Sequence, residues 1–184
     1  MKCSNCGHEL KETKGKKEIK VVLLTEEDRE FLKESNAIEG EYSKEALEDA
    51  EDSFRYAYDY KDKINIDHIL EIHRMLMKRI NPRIAGKTRE CDVFVRNRKC
   101  LNPEEIKEEL RMLCNPGLNP VYLGEKWIKE WHINFERIHP FEDGNGRVGR
   151  ILMNIQRLEI GLPLLIIHKG KEQQEYYKWF ENLK

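Results

Sequence analysis

Along most of this chain apolar residues recur at the three- and four-residue spacing of a helix rather than at the alternation of a strand. Leu47, Ala50, Phe54 and Ala57 mark one amphipathic helix, and Ile69, His73, Leu76 and Ile80 mark a second with Asp67 near its start. Trp127, Trp131, Phe135 and Ile138 stripe another, which should stop at His139 because Pro140 disfavours helical geometry in the residue before it. Val148, Ile151, Leu152, Ile155 and Leu158 repeat from about Gly146, and Gly161 with Pro163 closes that run. Start signals add two more. Thr25-Glu26-Glu27-Asp28 has the spacing of a capping box ahead of Phe31 and Leu32, which predicts a helix from about Glu26 toward Glu39, ending near Gly40. Asn102-Pro103-Glu104-Glu105 places proline in the first turn of a helix carrying Ile106, Leu110 and Leu113. Only Asp92-Val93-Phe94-Val95-Arg96, closed by polar Asn97-Arg98-Lys99, has the β-branched and aromatic content of a strand or hairpin. The expected fold is all-α with one small β element and no internal repeat.

The 184 residues suit one domain with a real core, and 39% hydrophobic with 36% charged residues describes a folded, soluble chain. A net charge of -1, with lysines and glutamates alternating on helix faces, gives no footprint for nucleic acid. No apolar run approaches the roughly 20 residues of a membrane helix, and no apolar signal region opens the chain, so a cytoplasmic protein without a membrane partner is expected. Five cysteines, an odd number, favour reduced thiols or a metal over a disulfide framework. Residues 1–20 differ in kind from the rest, with Cys3, Cys6 and His8 ahead of a lysine-rich stretch from Lys11 to Lys20. They read as an appendage to a domain spanning residues 21–184.

The densest chemistry lies in His-Pro-Phe-Glu-Asp-Gly-Asn-Gly-Arg-Val-Gly-Arg, from His139 to Arg150. This loop runs into a helix start, where the backbone N–H groups of Gly144, Asn145 and Gly146 and the positive end of the helix dipole can converge on a phosphate. Arg147 and Arg150, three apart, should put both guanidinium groups on one side of that helix as clamps for phosphate oxygens. Asp143 is placed to bind a hydrated magnesium ion that bridges phosphates, and His139 can take a proton near neutral pH. Each feature alone is ordinary in a structural helix or turn; their concentration in twelve residues points to phosphate chemistry.

These residues resemble the signature of the Fic family, His-Pro-Phe-x-Asp/Glu-Gly-Asn-Gly-Arg-x-x-Arg, at every fixed position. The similarity runs from about Thr25 to Lys184. The resemblance implies a Fic-type helical bundle with a β-hairpin flap, and an enzyme that moves AMP from ATP to a Ser, Thr or Tyr hydroxyl of a target protein. On that footing His139 is the general base and Asp143 holds magnesium on the α- and β-phosphates. The loop amides with Asn145 hold those phosphates, Arg147 steadies the chain and Arg150 reaches the γ-phosphate. The hairpin at Val93, Phe94, Val95 and Arg96 corresponds to the flap over the nucleotide, and Tyr176 either lines the adenine pocket or is a core aromatic of the last helix. A family member called Doc moves the γ-phosphate instead and has lysine where this chain has Gly146.

Ser35-Asn36-Ala37-Ile38-Glu39-Gly40 resembles the family's inhibitory motif, Ser/Thr-x-x-x-Glu-Gly/Asn, which implies that Ser35, Glu39 and Gly40 restrain the site through a Glu39–Arg150 pair. Met1 to His8 looks like the first knuckle of a zinc ribbon, but the second Cys-x-x-Cys does not follow. Two readings stay open: zinc on Cys3, Cys6 and His8 completed by a distant cysteine (Cys91, Cys100 or Cys114) or a second chain, and a tail without metal. Open too are an enzyme that mainly removes AMP, an idle ATP-binding adaptor, and a homo-oligomer.

Overall fold

The computed structural model describes residues 10–11, 21–61, 64–95, 98–114 and 120–181. Cys3, Cys6, His8 and Arg96 lie outside these described residues. The helix at Glu26 starts where its box predicts. Thr25 Oγ1 accepts from the Asp28 N–H at 3.1 Å and Asp28 Oδ2 accepts from the Thr25 N–H at 2.7 Å, opening α1 (Glu26–Ile38). Gly40, at φ +75°, takes the left-handed conformation that ends it, and its N–H returns to the Ala37 carbonyl. Ser43 and Asn65 cap α2 (Lys44–Asp59) and α3 (Ile66–Met77) by accepting from the N–H three residues on. Ile80, expected on the inner stripe of α3, falls in the turn after the helix, though it still packs on the core.

The expected hairpin forms: β3 (Phe94–Val95) pairs antiparallel with β4 (Arg98–Lys99), Phe94 facing Lys99 and Val95 facing Arg98. A second two-stranded ribbon was not expected. β1 (Leu10–Lys11) pairs with β2 (Val21–Val22), linking residues on either side of position 20. Pro103 opens a short 3-10 turn that leads into α4 (Ile106–Leu113). α5 (Pro120–Ile138) is broken at Gly124, whose φ of +67° and ψ of -168° separate its first turn from the striped portion. α6 (Asn145–Glu159) follows, then α7 (Lys171–Tyr177), which tightens into a 3-10 turn at Lys178–Phe180.

One core joins Phe31 and Leu32 of α1, Phe54 of α2, Ile69 and Leu76 of α3, Trp131 and Phe135 of α5, and Val148, Ile151 and Ile155 of α6. The stripe on α6 suggests one inward face, yet every residue from Arg147 to Arg157 is buried. α1 covers the side the pattern reads as polar, and Leu165, Ile167 and Tyr176 close the rest of it. A polar helix in the middle of a core needs internal partners. Asn154 finds them by bonding the N–H and the carbonyl of Leu165, and Arg157 by donating to the Pro163 carbonyl and to Glu125. No helix among the described residues is long and apolar enough to cross a membrane.

α5 and α6 touch most intimately at Gly149. A Cβ there would stand 2.8 Å from Glu136 Oε1, 2.9 Å from the His132 ring and 3.0 Å from the Phe135 ring. Gly149→Ala should therefore lower unfolding stability by about 1–3 kcal/mol, although alanine is the better helix former by about 1 kcal/mol. The expected result is a lower urea midpoint with an unchanged slope; a midpoint that holds or rises would show that the two helices separate without cost.

Candidate functional site

The loop between α5 and α6 is built by groups that satisfy its backbone from three directions. α5 ends at Ile138, and His139 adopts φ +48°, rare for a residue with a side chain, so the chain reverses before Pro140. The buried Arg89 guanidinium holds that reversal. It donates to the carbonyls of His139 at 2.7 Å, Cys91 at 2.8 Å and Leu101 at 2.5 Å, while the Arg89 N–H bonds the Pro140 carbonyl. The last turn of α5 is thereby tied to both ends of the segment that carries the hairpin. Asn145 closes the loop from within, accepting from the Phe141 N–H and donating to the Phe141 carbonyl, both at 2.9 Å.

α3 supplies the third support. His73 Nδ1 accepts from the Gly86 N–H at 3.0 Å, which leaves Nε2 as the protonated nitrogen, donating to the Asp143 carbonyl at 3.0 Å. Its ring stacks on Phe141 with centroids 3.7 Å apart. Burial, ahead of its other surroundings, lowers the His73 pKa to about 4. Gly144, at φ +83°, then starts α6, and a Cβ there would stand 3.0 Å from the Met77 sulfur and 3.2 Å from the His73 ring.

A cavity of about 710 Å³ opens above this helix start. His139, Gly146 and Arg150 line it from the loop and α6, Glu39 from the end of α1, Val95 and Arg98 from the hairpin, and Tyr176, Tyr177 and Phe180 from the last helix and its turn. Arg150 is almost wholly buried. Its Nε donates to Ser35 Oγ at 2.9 Å, and its Nη2 to the Ser35 carbonyl at 2.9 Å and to Glu39 Oε1 at 2.7 Å. Burial works against the charged guanidinium, but the Glu39 carboxylate outweighs it and holds the group firmly protonated. Gly146 makes room for the pair: a Cβ there would lie 2.5 Å from Glu39 Oε1. Tyr176 lines the cavity while burying its ring and pairing its hydroxyl with His132 Nε2 at 2.7 Å; burial raises its phenol pKa.

The structure thus brings together His139, Gly146, Arg150, Ser35, Glu39, Val95 and Tyr176. It parts the two arginines. Arg147 turns away from Arg150, toward the Met77 sulfur at 3.3 Å and Asp143 Oδ1 at 3.4 Å, so they do not share one side as a joint clamp. The Asn145 side chain is consumed by Phe141, which leaves its backbone N–H as its reach toward an anion. Asp143 stays half-exposed, with Oδ1 also accepting from the Gly144 N–H at 2.5 Å. Phe94 points outward, 63% exposed at the hairpin. Among the described residues no three His, Cys, Asp or Glu side chains gather as a metal cluster.

Sequence reasoning passed over Arg89, Glu136 and His132, and took His73 as a core position. His132, Glu136 and His139 recur at four- and three-residue spacing beside the apolar stripe of α5, a polar seam legible in principle. Arg89 left no such signal, because its partners are carbonyls.

The model of the Fic/DOC family matches residues 63–156, just over half of the chain. The chain belongs to the Fic/DOC family. That match takes in the hairpin, the loop and most of α6, while Ser35 to Gly40 and Tyr176 lie beyond it. Among relatives similar to this Fic/DOC chain are the protein adenylyltransferase Fic of Nematostella vectensis, 32% identical over 125 residues, and protein adenylyltransferase fic-1 of Caenorhabditis elegans, 33% identical over 119. The alignments cover 64% and 63% of the Fic/DOC chain but 28% and 23% of those relatives, so the chain spans about a quarter of their length. A solved structure of Fic-1 from C. elegans superposes with a TM-score of 0.65 at 23% identity, over 85% of this chain and 55% of that one, and shares the helical fold.

His73 and His132 give the site a pH signature. Burial lowers both pKa values to about 4, below the value of about 6.5 in an unfolded chain. The unfolded state therefore takes up protons first, and stability present above about pH 6.5 is lost as pH falls toward about 4, on the order of 2 kcal/mol per histidine at about pH 5. The exposed His168, raised by Glu172 and Glu30, acts in the opposite sense. Urea melts at pH 7.5 and 5 should show a clearly lower midpoint at the acidic value, and equal midpoints would refute buried neutral imidazoles.

Proposed function

We propose that this chain is an autoinhibited protein adenylyltransferase, transferring AMP from ATP to a Ser, Thr or Tyr hydroxyl of a target protein. The observation that carries the reading is the Glu39–Arg150 pair, 2.7 Å long, inside the cavity that His139 lines. The name protein adenylyltransferase belongs to relatives about a third identical over the shared segment, and it supports the same chemistry here.

In the proposed reaction the nucleotide lies in the cavity with its phosphates against the start of α6, where backbone N–H groups and the helix dipole favour negative charge. His139 takes the proton from the target hydroxyl as its oxygen bonds to the α-phosphorus, and the bond from that phosphorus to the bridging oxygen breaks, releasing pyrophosphate. Positioning and charge neutralisation supply most of the acceleration in such transfers. Arg150, freed from Glu39, holds the γ-phosphate, and Arg147 stands by the loop. Asp143 offers one half-exposed carboxylate, which fits magnesium, an ion that keeps several waters and bridges substrate phosphates rather than needing a protein cage. Bound there, the ion would neutralise phosphate charge. The hairpin, with Phe94 exposed, presents an edge to which an extended target segment can add by main-chain pairing.

Glu39 then sets the resting level. While it occupies Arg150 the γ-phosphate lacks its anchor, and ATP lies with its α-phosphate displaced from the attacking oxygen. A misplacement of about 1 Å costs on the order of 100-fold in rate. With ATP labelled at the α-phosphate, Glu39→Gly should increase self-labelling by roughly 10- to 100-fold, and adding His139→Ala should remove it. Label transferred from the γ-phosphate instead would replace AMP transfer with kinase chemistry. No transfer by any variant would leave an ATP-binding adaptor.

A further inference from the structure

Glu136 stands on the last turn of α5, buried against the same cavity, and no role above uses it. Its Oε2 faces His139 Nδ1 at 3.7 Å. His139 Nδ1 and Glu136 Oε1 are both shielded from solvent, and neither has a hydrogen-bond partner among the described residues. Buried polar atoms are rarely left single. Here a ring nitrogen and a carboxylate face each other a few tenths of an ångström beyond bonding distance, the looseness common in a site before substrate tightens it.

The carboxylate has little freedom to go elsewhere. The Gly149 backbone of α6 presses on Oε1, leaving no room even for a methyl group. His132 lies one turn earlier on α5, Arg150 approaches from α6, and Cys100 from the end of the hairpin senses its charge. Tyr176 flanks Arg150 from α7, and Arg98, Glu39 and Glu181 share the cavity. Burial alone would raise the Glu136 carboxyl, but the contact with His139 and the positive charge of Arg150 outweigh it and lower its pKa. It is an anion throughout the neutral range.

We infer that Glu136 is a positioning residue for His139: it accepts a hydrogen bond from Nδ1–H, leaving Nε2 as the bare nitrogen that receives the target's proton, and its charge steadies the imidazolium that results. The left-handed turn at His139 returns the ring toward the helix it has just left, which is what a partner one turn back requires. This deepens the AMP-transfer reading and rests on it for the identity of the proton donor.

The test has two arms. In full-length protein labelled with ¹⁵N-histidine, two-bond ¹⁵N–¹H correlations above neutral pH should show His139 as the Nδ1–H tautomer, retained in Glu136→Gln and shifted toward Nε2–H in Glu136→Leu. In the Glu39→Gly background, Glu136→Leu should lower kcat by roughly 100-fold or more with the KM for ATP within about threefold, and Glu136→Gln, which keeps the acceptor but not the charge, should fall between. A wild-type His139 in the Nε2–H form overturns the inference even if the leucine variant does not fold. So does a Glu136→Leu enzyme with unchanged kcat, or one whose loss lies wholly in KM. The tautomer is read without nucleotide, so a chain that transfers no AMP would sink the activity while the spectrum still decided the contact.

Discussion

A guanidinium group cannot be buried without being answered, and Arg150 is buried almost completely at the centre of this fold. Removing such a charge from water costs several kcal/mol, a cost that good geometry and additional hydrogen bonds must offset. The answer comes from one helix end: the hydroxyl and carbonyl of Ser35 and the carboxylate of Glu39. α1 therefore does more than cover apolar surface with Phe31 and Leu32. Its final turn closes an electrostatic account opened by α6, so the helix that holds Arg150 with Ser35 and Glu39 is also part of the core. Two of those three bonds come from Ser35, so Arg150 stays tied to α1 by Ser35 independently of the Glu39 carboxylate.

The loop above α6 is held by a complementary logic. Arg89 bonds carbonyls, Asn145 bonds the two ends of one residue's backbone, and neutral His73 donates to another carbonyl. These supports absorb acceptors, so the groups left facing outward at the helix start are donors. The carbonyls of His139, Pro140, Phe141 and Asp143 are thereby taken up, which removes acceptors that would repel a phosphate from this helix start.

Much of this was legible in the chain. Helical spacing, the Thr25 box and Gly40 located α1, and the hairpin and the stop before Pro140 came from local rules. The likeness of His139–Arg150 and Ser35–Gly40 to known patterns placed Arg150 beside Glu39, as the structure has it. Periodicity misjudged α6, because the pattern along one helix does not register that α1 and Tyr176 cover the opposite side. It also grouped Arg147 with Arg150 by spacing alone, whereas Met77 and Ser35 draw them apart. Arg89 and His73 escaped because most of their partners are backbone atoms 12 to 70 positions away, which no residue type announces.

Gly146 links the start of α6 to the end of α1 through a single missing carbon. The Glu39 carboxylate occupies the space where any other residue would place its Cβ. A chain with lysine at this position, as the Doc pattern has, has no room for Glu39 in this pose, so that substitution and the observed Glu39–Arg150 geometry do not coexist on the same backbone. A lineage passing from one arrangement to the other would have to move the Glu39 carboxylate at the step where the side chain arrives.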